Sequence, residues 1–191
     1  MFCWIFLFLT QTILISTRNV RLHMRLGLGG AILAATIVPF AFAAGLSILD
    51  RDIGLMGVDA AYSAFLPTII EPLLFGALVA SAIALRRRPD FHKRLMLLAT
   101  LSILGPAWFR FRHFFPSVEN PLVVFGFWLA ITPMVGAALW DALKERRIHP
   151  VYLTALPMLL AVYVVEVWGG GHPAFIAASK AVAGLLGAPA P

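Results

Sequence analysis

The sequence predicts an all-α fold, an integral membrane bundle of six transmembrane helices. Three observations predict it. Of the 191 residues, 61% are hydrophobic and 13% charged, against roughly 25% charged in soluble domains. The apolar residues form six long runs without a one-sided helical stripe, as in segments that face lipid all round. The basic residues gather between alternate runs. In hydrocarbon a backbone must satisfy its own hydrogen bonds, so these runs predict helices.

The first run is residues 2–16 (FCWIFLFLTQTILIS). It is short for a core of about 30 Å, which predicts a span thinned at its outer end or a start codon further upstream. No basic segment precedes it and no A-x-A-like site follows, so cleavage as a signal peptide is not expected. Runs 26–49, 64–85, 94–109, 121–140 and 151–168 follow. The stretch 49–63 (LDRDIGLMGVDAAYS), with Asp50, Asp52 and Asp59, reads as the longest outer connection. Residues 1–168 thus form a six-span domain and 169–191 a short outer-side tail. Within the tail, 174–186 predicts an apolar helix too short to span.

Six spans place alternate connections on one side. Loops 17–25, 86–94 and 141–150 hold eleven of the fifteen Lys and Arg residues. The other side has Arg51, Arg110, Arg112 and Lys180. The positive-inside rule then makes the three basic loops cytoplasmic and puts both termini outside. The net charge of +6 is accounted for by orientation and by anionic headgroups at those loops, so the expected partner is the bilayer and not nucleic acid. Cys3 is the only cysteine, which excludes an internal disulfide and any cysteine-based metal cage.

A short repeat runs through the basic loops. His23-Met24-Arg25-Leu26 and His92-Lys93-Arg94-Leu95 both read H-x-R-L at the start of an even-numbered run, and His149-Pro150 opens the third such run. The stretches RLHMRLGLGG (21–30), RRRPDFHKRLMLLAT (86–100) and RIHPV (147–151), with Asp141 before the last, resemble a family of small, uncharacterised bacterial multi-pass inner-membrane proteins. The resemblance covers most of the chain, and its middle motif is the most specific. It implies the bacterial inner membrane and a longer first span. It carries no activity with it.

Two groups of residues are candidates for chemistry. Charges inside spans are costly and mark function by default. Glu71 is expected about 10 Å below the outer face, from about seven residues of helix. Glu166 closes run six and Arg110 closes run four, so Glu71, Arg110 and Glu166 are expected to form an intramembrane charge cluster in which Arg110 neutralises a carboxylate. At the cytoplasmic rim, His23, His92, His149 and Asp141 share one level and could hold a metal or ligate a haem. Interfacial histidines bonded to loop carbonyls are the plainer reading of the same residues. The histidines sit at span ends and no C-x-x-C-H motif is present, which counts against haem.

Runs two to six each contain proline: Pro39, Pro67 and Pro72, Pro106, Pro133, and Pro157. Each removes a helical hydrogen bond, and Thr36, Thr68, Ser102, Thr132 and Thr154 are expected to help satisfy the broken backbone. Kinked helices could open a cavity. Gly30, Ala34, Gly76, Ala80 and Ala84 are expected at close helix contacts. Trp4, Trp108, Trp168 and Tyr62 suit an outer aromatic belt, and Trp140 and Tyr152 an inner one.

Soluble-enzyme motifs are absent: no phosphate loop, no G-x-S-x-G, no H-E-x-x-H. The expected function is therefore that of a structural or assembly-type inner-membrane protein. A haem- or metal-binding redox protein using the rim histidines, and a small-solute or proton transporter using the prolines and outer charges, remain open beside it.

Overall fold

The computed structural model describes residues 2–188. Met1 of the predicted spanning domain and residues 189–191 of the predicted tail lie outside the described residues. The protein is an all-α bundle, and among the described residues there is no strand. The helices are α1 (Phe2–Ser16), α2 (Val20–Met56), α3 (Val58–Phe65), α4 (Pro67–Ala84), α5 (Pro89–Ser102), α6 (Gly105–Phe109), α7 (Leu129–Glu145), α8 (Pro150–Gly169) and α9 (Pro173–Leu185). A 3-10 turn, Arg110–His113, follows α6, and a π-helical stretch, Leu122–Trp128, leads into α7. Four helical stretches are long and apolar enough to cross a membrane: Val20–Met56, Val58–Ala84, Leu122–Glu145 and Pro150–Gly169.

Local chemistry sets the boundaries. Proline opens α4, α5, α6, α8 and α9 at the first or second position, where its missing N–H costs nothing and its fixed φ suits the helix. His149 and His172 precede two of these prolines and cap their helices, each Nδ1 accepting from the backbone N–H two residues on, at 3.3 and 3.2 Å. The H-P pair is thus a start signal used twice. Asn19 caps α2 by accepting from the Leu22 N–H. Gly57, at φ 87°, breaks the chain between α2 and α3, a left-handed conformation that glycine adopts without steric cost.

The first, third, fifth and sixth apolar runs appear as α1, as α3 with α4, as the π-helical stretch with α7, and as α8. Two other expectations change. The stretch 49–63 is helical apart from one glycine, because α2 continues for 37 residues, to Met56. At 1.5 Å per residue that is about 55 Å, well beyond a bilayer core of about 30 Å. The fourth run, 94–109, is interrupted after Ser102 and resumes at Gly105.

The main core joins α1, α4, α5, α7 and α8 through Trp4, Phe75, Leu98, Met134 and Leu159, all nearly inaccessible. Trp4 does not belong to an aromatic belt: it meets Phe75 edge-on, and its indole N–H donates to Thr100 Oγ1 at 3.2 Å. A second core gathers Leu49, Tyr62, Phe65 and Ala183. It holds α9 against α3, with Ser179 Oγ donating to the Tyr62 carbonyl at 2.5 Å and Lys180 paired to Asp59 at 3.1 Å. Gly30 and Gly76 stand against Leu7 and Val38 as small contact residues should. Ala80 and Ala84 are exposed, and Ala82, on the opposite side of the helix, is buried.

Candidate functional site

The structure brings the three basic loops together at one end of the bundle, and α5 is their hub. Successive residues of a helix point about 100° apart, so the opening turns of α5 reach several neighbours. Arg94 is 2% exposed. Its Nε and Nη2 donate to the two oxygens of Asp141 on α7 at 2.8 and 2.9 Å. Nη2 also bonds Glu145, and Nη1 donates to the Asp90 carbonyl at 2.8 Å. His92 Nδ1 meets the Ala82 carbonyl of α4 at 2.8 Å. Asp90 Oδ2 lies 3.3 Å from His149 Nε2 at the start of α8. Phe91 packs edge-on against His149 at 4.7 Å, with Arg88 above its other face at 3.9 Å.

These contacts fix ring chemistry. A carbonyl only accepts, so His92 carries a hydrogen on Nδ1. His149 accepts at Nδ1 from Val151, so its hydrogen is on Nε2 and is donated to Asp90. Desolvation pulls the Asp90 carboxyl up, but the His149 bond, the backbone N–H groups of Asp90 and Phe91, and the Arg88 charge together hold it below the usual carboxylate value.

The four rim residues anticipated as one site separate into three roles. Asp141 orients no imidazole: it is taken by Arg94, a residue read from sequence only as an orientation signal. His149 has both ring nitrogens engaged. His23 and His92 do converge, with ring centres 6.4 Å apart and planes at 90°. Nearby on α1 is Gln11, and both Gln11 Oε1 and His23 Nδ1 are buried without a hydrogen-bond partner. Among the described residues no three His, Cys, Asp or Glu side chains converge as metal ligands.

The opposite end holds the two carboxylates expected within spans, Glu71 and Glu166. Glu71 of α4 and Glu166 of α8 are both partly buried and close enough for their charges to interact. Glu71 lies beside the break between α5 and α6, and Glu166 stands one turn of α8 beyond Tyr163. A Cβ on Gly105 would stand 3.1 Å from Glu71 Oε1 and 3.5 Å from the Tyr163 hydroxyl. Pro106 has no N–H to offer the Ser102 carbonyl, and the Tyr163 hydroxyl donates to that carbonyl instead, at 3.2 Å. Glu166 Oε1 and the Trp108 indole nitrogen are buried with no partner.

Arg110 is not part of this group. It is exposed, and its Nη1 donates to the carbonyl of Pro106 in the preceding α6 at 3.1 Å. Among the described residues it makes no ion pair. The hydroxyl reading also changes in detail. Thr36, Thr68, Ser102, Thr132 and Thr154 bond carbonyls three or four residues back along the chain, while the carbonyl opened by Pro106 is served from another helix by Tyr163. No protein-family model, curated protein or solved structure matches this chain.

Proposed function

We propose that the chain is a multi-pass protein of a bacterial inner membrane that takes up protons or a small cation at Glu71 and Glu166 and passes them through the bundle. The observation that carries this reading is a carboxylate pair inside the bundle that has no cationic partner among the described residues. Two ionised carboxylates cannot be held uncompensated in hydrocarbon. With Arg110 exposed and in no ion pair among the described residues, the compensation is a bound proton or cation. The pair lies where the fourth segment is interrupted, and interrupted helices are where membrane transporters expose backbone carbonyls to ions. The three basic loops are cytoplasmic in this reading, both termini lie outside, and the basic side chains face anionic headgroups. The sequence resemblance to bacterial multi-pass inner-membrane proteins supports the location.

Two experiments test it. Purified protein treated with a hydrophobic carbodiimide should be labelled at Glu71 or Glu166. Wild-type proteoliposomes should dissipate an imposed pH gradient faster than Glu71→Gln or Glu166→Gln proteoliposomes. Equal dissipation by all three would sink the transport reading and leave a structural role for the pair. For orientation, single cysteines at Met56 and Gly171 in a Cys3→Ser background should react with an impermeant thiol reagent in intact cells, and one at Arg87 only after lysis. Labelling at Arg87 in intact cells would reverse the topology.

A further inference from the structure

We propose that the Trp108 indole is a positioning residue for Glu166: its N–H takes up the Glu166 carboxylate when that group gives up a proton. The inference rests on the carboxylate pair acting as an ion site, and it names the ion as the proton.

The register of two helices carries it. α5 and α8 run in the same direction. Near the start of both, Asp90 Oδ2 lies 3.3 Å from His149 Nε2. Towards the other end, the Tyr163 hydroxyl donates to the Ser102 carbonyl at 3.2 Å and stands 3.5 Å from the place of a Cβ on Gly105. Trp108 is three residues past Gly105 on α6, and Glu166 is three residues past Tyr163 on α8. Three residues of helix make a rise of about 4.5 Å and a rotation of about 300°. Each side chain therefore stands one turn beyond a contact already made, which brings the two level with each other. Trp108 and Val167, the chain neighbour of Glu166, both pack on the main core.

Their chemistry is complementary. Glu166 Oε1 and Trp108 Nε1 are both buried, and neither has a hydrogen-bond partner. An indole N–H only donates, and a carboxylate only accepts. A protonated, neutral Glu166 leaves the two apart, whereas an ionised one draws the N–H into a charge-assisted bond. In that step the O–H bond of Glu166 breaks and the proton passes to water, which reaches this partly exposed residue. The oxygen keeps the electron pair and accepts the indole hydrogen with it. Reprotonation, from water or from Glu71, releases the contact. The same N–H selects the ion, because its positive hydrogen supports a bare carboxylate and opposes a metal cation on the same oxygen.

Glu71 on α4 and Tyr163 on α8 are the titratable groups near enough for charge interaction with Glu166. α5 after Arg94, the π-helical stretch and α7 before Asp141 carry no ionisable side chain. On the turn after α6, Arg110 is bonded to the Pro106 carbonyl, Arg112 lies over the Phe109 ring at 4.0 Å, and His113 is exposed.

The test uses the full chain in detergent with 15N-labelled tryptophan, read by two-dimensional NMR of the indole N–H groups. The Trp108 signal is assigned by its loss in Trp108→Phe. Should that variant not fold, it is assigned by survival in Trp128→Phe, Trp140→Phe and Trp168→Phe, whose rings are exposed, and in Trp4→Phe. The expected result is a downfield shift of the Trp108 indole hydrogen as pH rises, lost in Glu166→Gln. A signal that stays fixed with pH, or that still shifts in Glu166→Gln, would overturn the proposal. So would a shift driven by sodium or potassium at constant pH. The gradient assay separates this inference from the transport reading. A coupled indole with equal dissipation by wild type and Glu166→Gln keeps the Trp108–Glu166 partnership and removes transport. Faster dissipation by wild type with a silent indole keeps transport and removes Trp108.

Discussion

Arg94 and Asp141 form a two-pronged ion pair, at 2.8 and 2.9 Å, between helices whose residues lie 47 positions apart in the chain. Arg94 is almost inaccessible, whereas Asp141 keeps 17% of its side-chain surface and Glu145 keeps 32%. Removing one partner of a buried pair strands the other and costs about 3–5 kcal/mol. Arg94→Ala should therefore lower thermal stability in detergent sharply. Glu145→Gln, at the wetter edge, should cost less than Asp141→Asn. Arg94→Met combined with Asp141→Asn should be milder than the sum of the two single changes by about 1–3 kcal/mol. Plain additivity in the unfolding midpoints would show that the pair is not coupled.

The Asp90–His149 contact predicts a dependence on acid. The Asp90 carboxyl sits below its usual value, with desolvation outweighed by its hydrogen bonds and by Arg88. A carboxylate lowered in the folded state adds stability above its unfolded value of about 3.9, and that stability disappears as pH falls through the lower folded value. The stability gap between wild type and Asp90→Asn should be present at neutral pH and close below about pH 4. A gap that stays constant across that range would mean the contact is not linked to Asp90 ionisation.

Tyr163 offers a test of the helix break. Tyr163→Phe removes the donor to the Ser102 carbonyl, which Pro106 cannot replace. An orphaned buried acceptor costs about 1–3 kcal/mol. The expected outcome is a lower unfolding temperature with carbodiimide labelling of the neighbouring carboxylates retained. No change in stability would mean that water serves that carbonyl as well as the phenol does.

Glycine substitutions separate packing from propensity. A Cβ on Gly45 would collide with Thr68 Oγ1 and crowd Thr68 Cβ, whereas one on Gly54 or Gly136 meets nothing within 4 Å. Gly45→Ala should destabilise the α2–α4 contact. Gly54→Ala and Gly136→Ala should be neutral or raise stability by up to about 1 kcal/mol through helix propensity. Reversal of that order in thermal melts would overturn the packing assignment.

The helices were legible because hydropathy over 20 residues is a strong, local signal. The break at Ser102–Gly105 carried a signal too, the G-P pair at 105–106, but it is easily read as a kink in a continuous span. The site geometry was less legible because it depends on pairings that composition does not encode. Arg94 lies in a run of basic residues with the same sequence character, and only its place on the buried face of α5 distinguishes it from its exposed neighbour Lys93. The sequence places Asp141 with the rim histidines, whereas its partner is that arginine. The convergence of His23 with His92 followed from their shared level at the ends of even-numbered runs. His149 shares that level, yet its following proline makes it a cap.

The reach of Arg94 to residues 47 and 51 positions downstream has a consequence for biogenesis. As the ribosome delivers α5 to the membrane, the guanidinium has no carboxylate to meet until α7 has also been synthesised. On the proposed multi-pass reading, the fourth segment would reach its final position only with the fifth, and the two should leave the insertion machinery as a unit. Chain truncated between the two segments would expose an unmatched arginine, the kind of feature that membrane quality-control proteases act on.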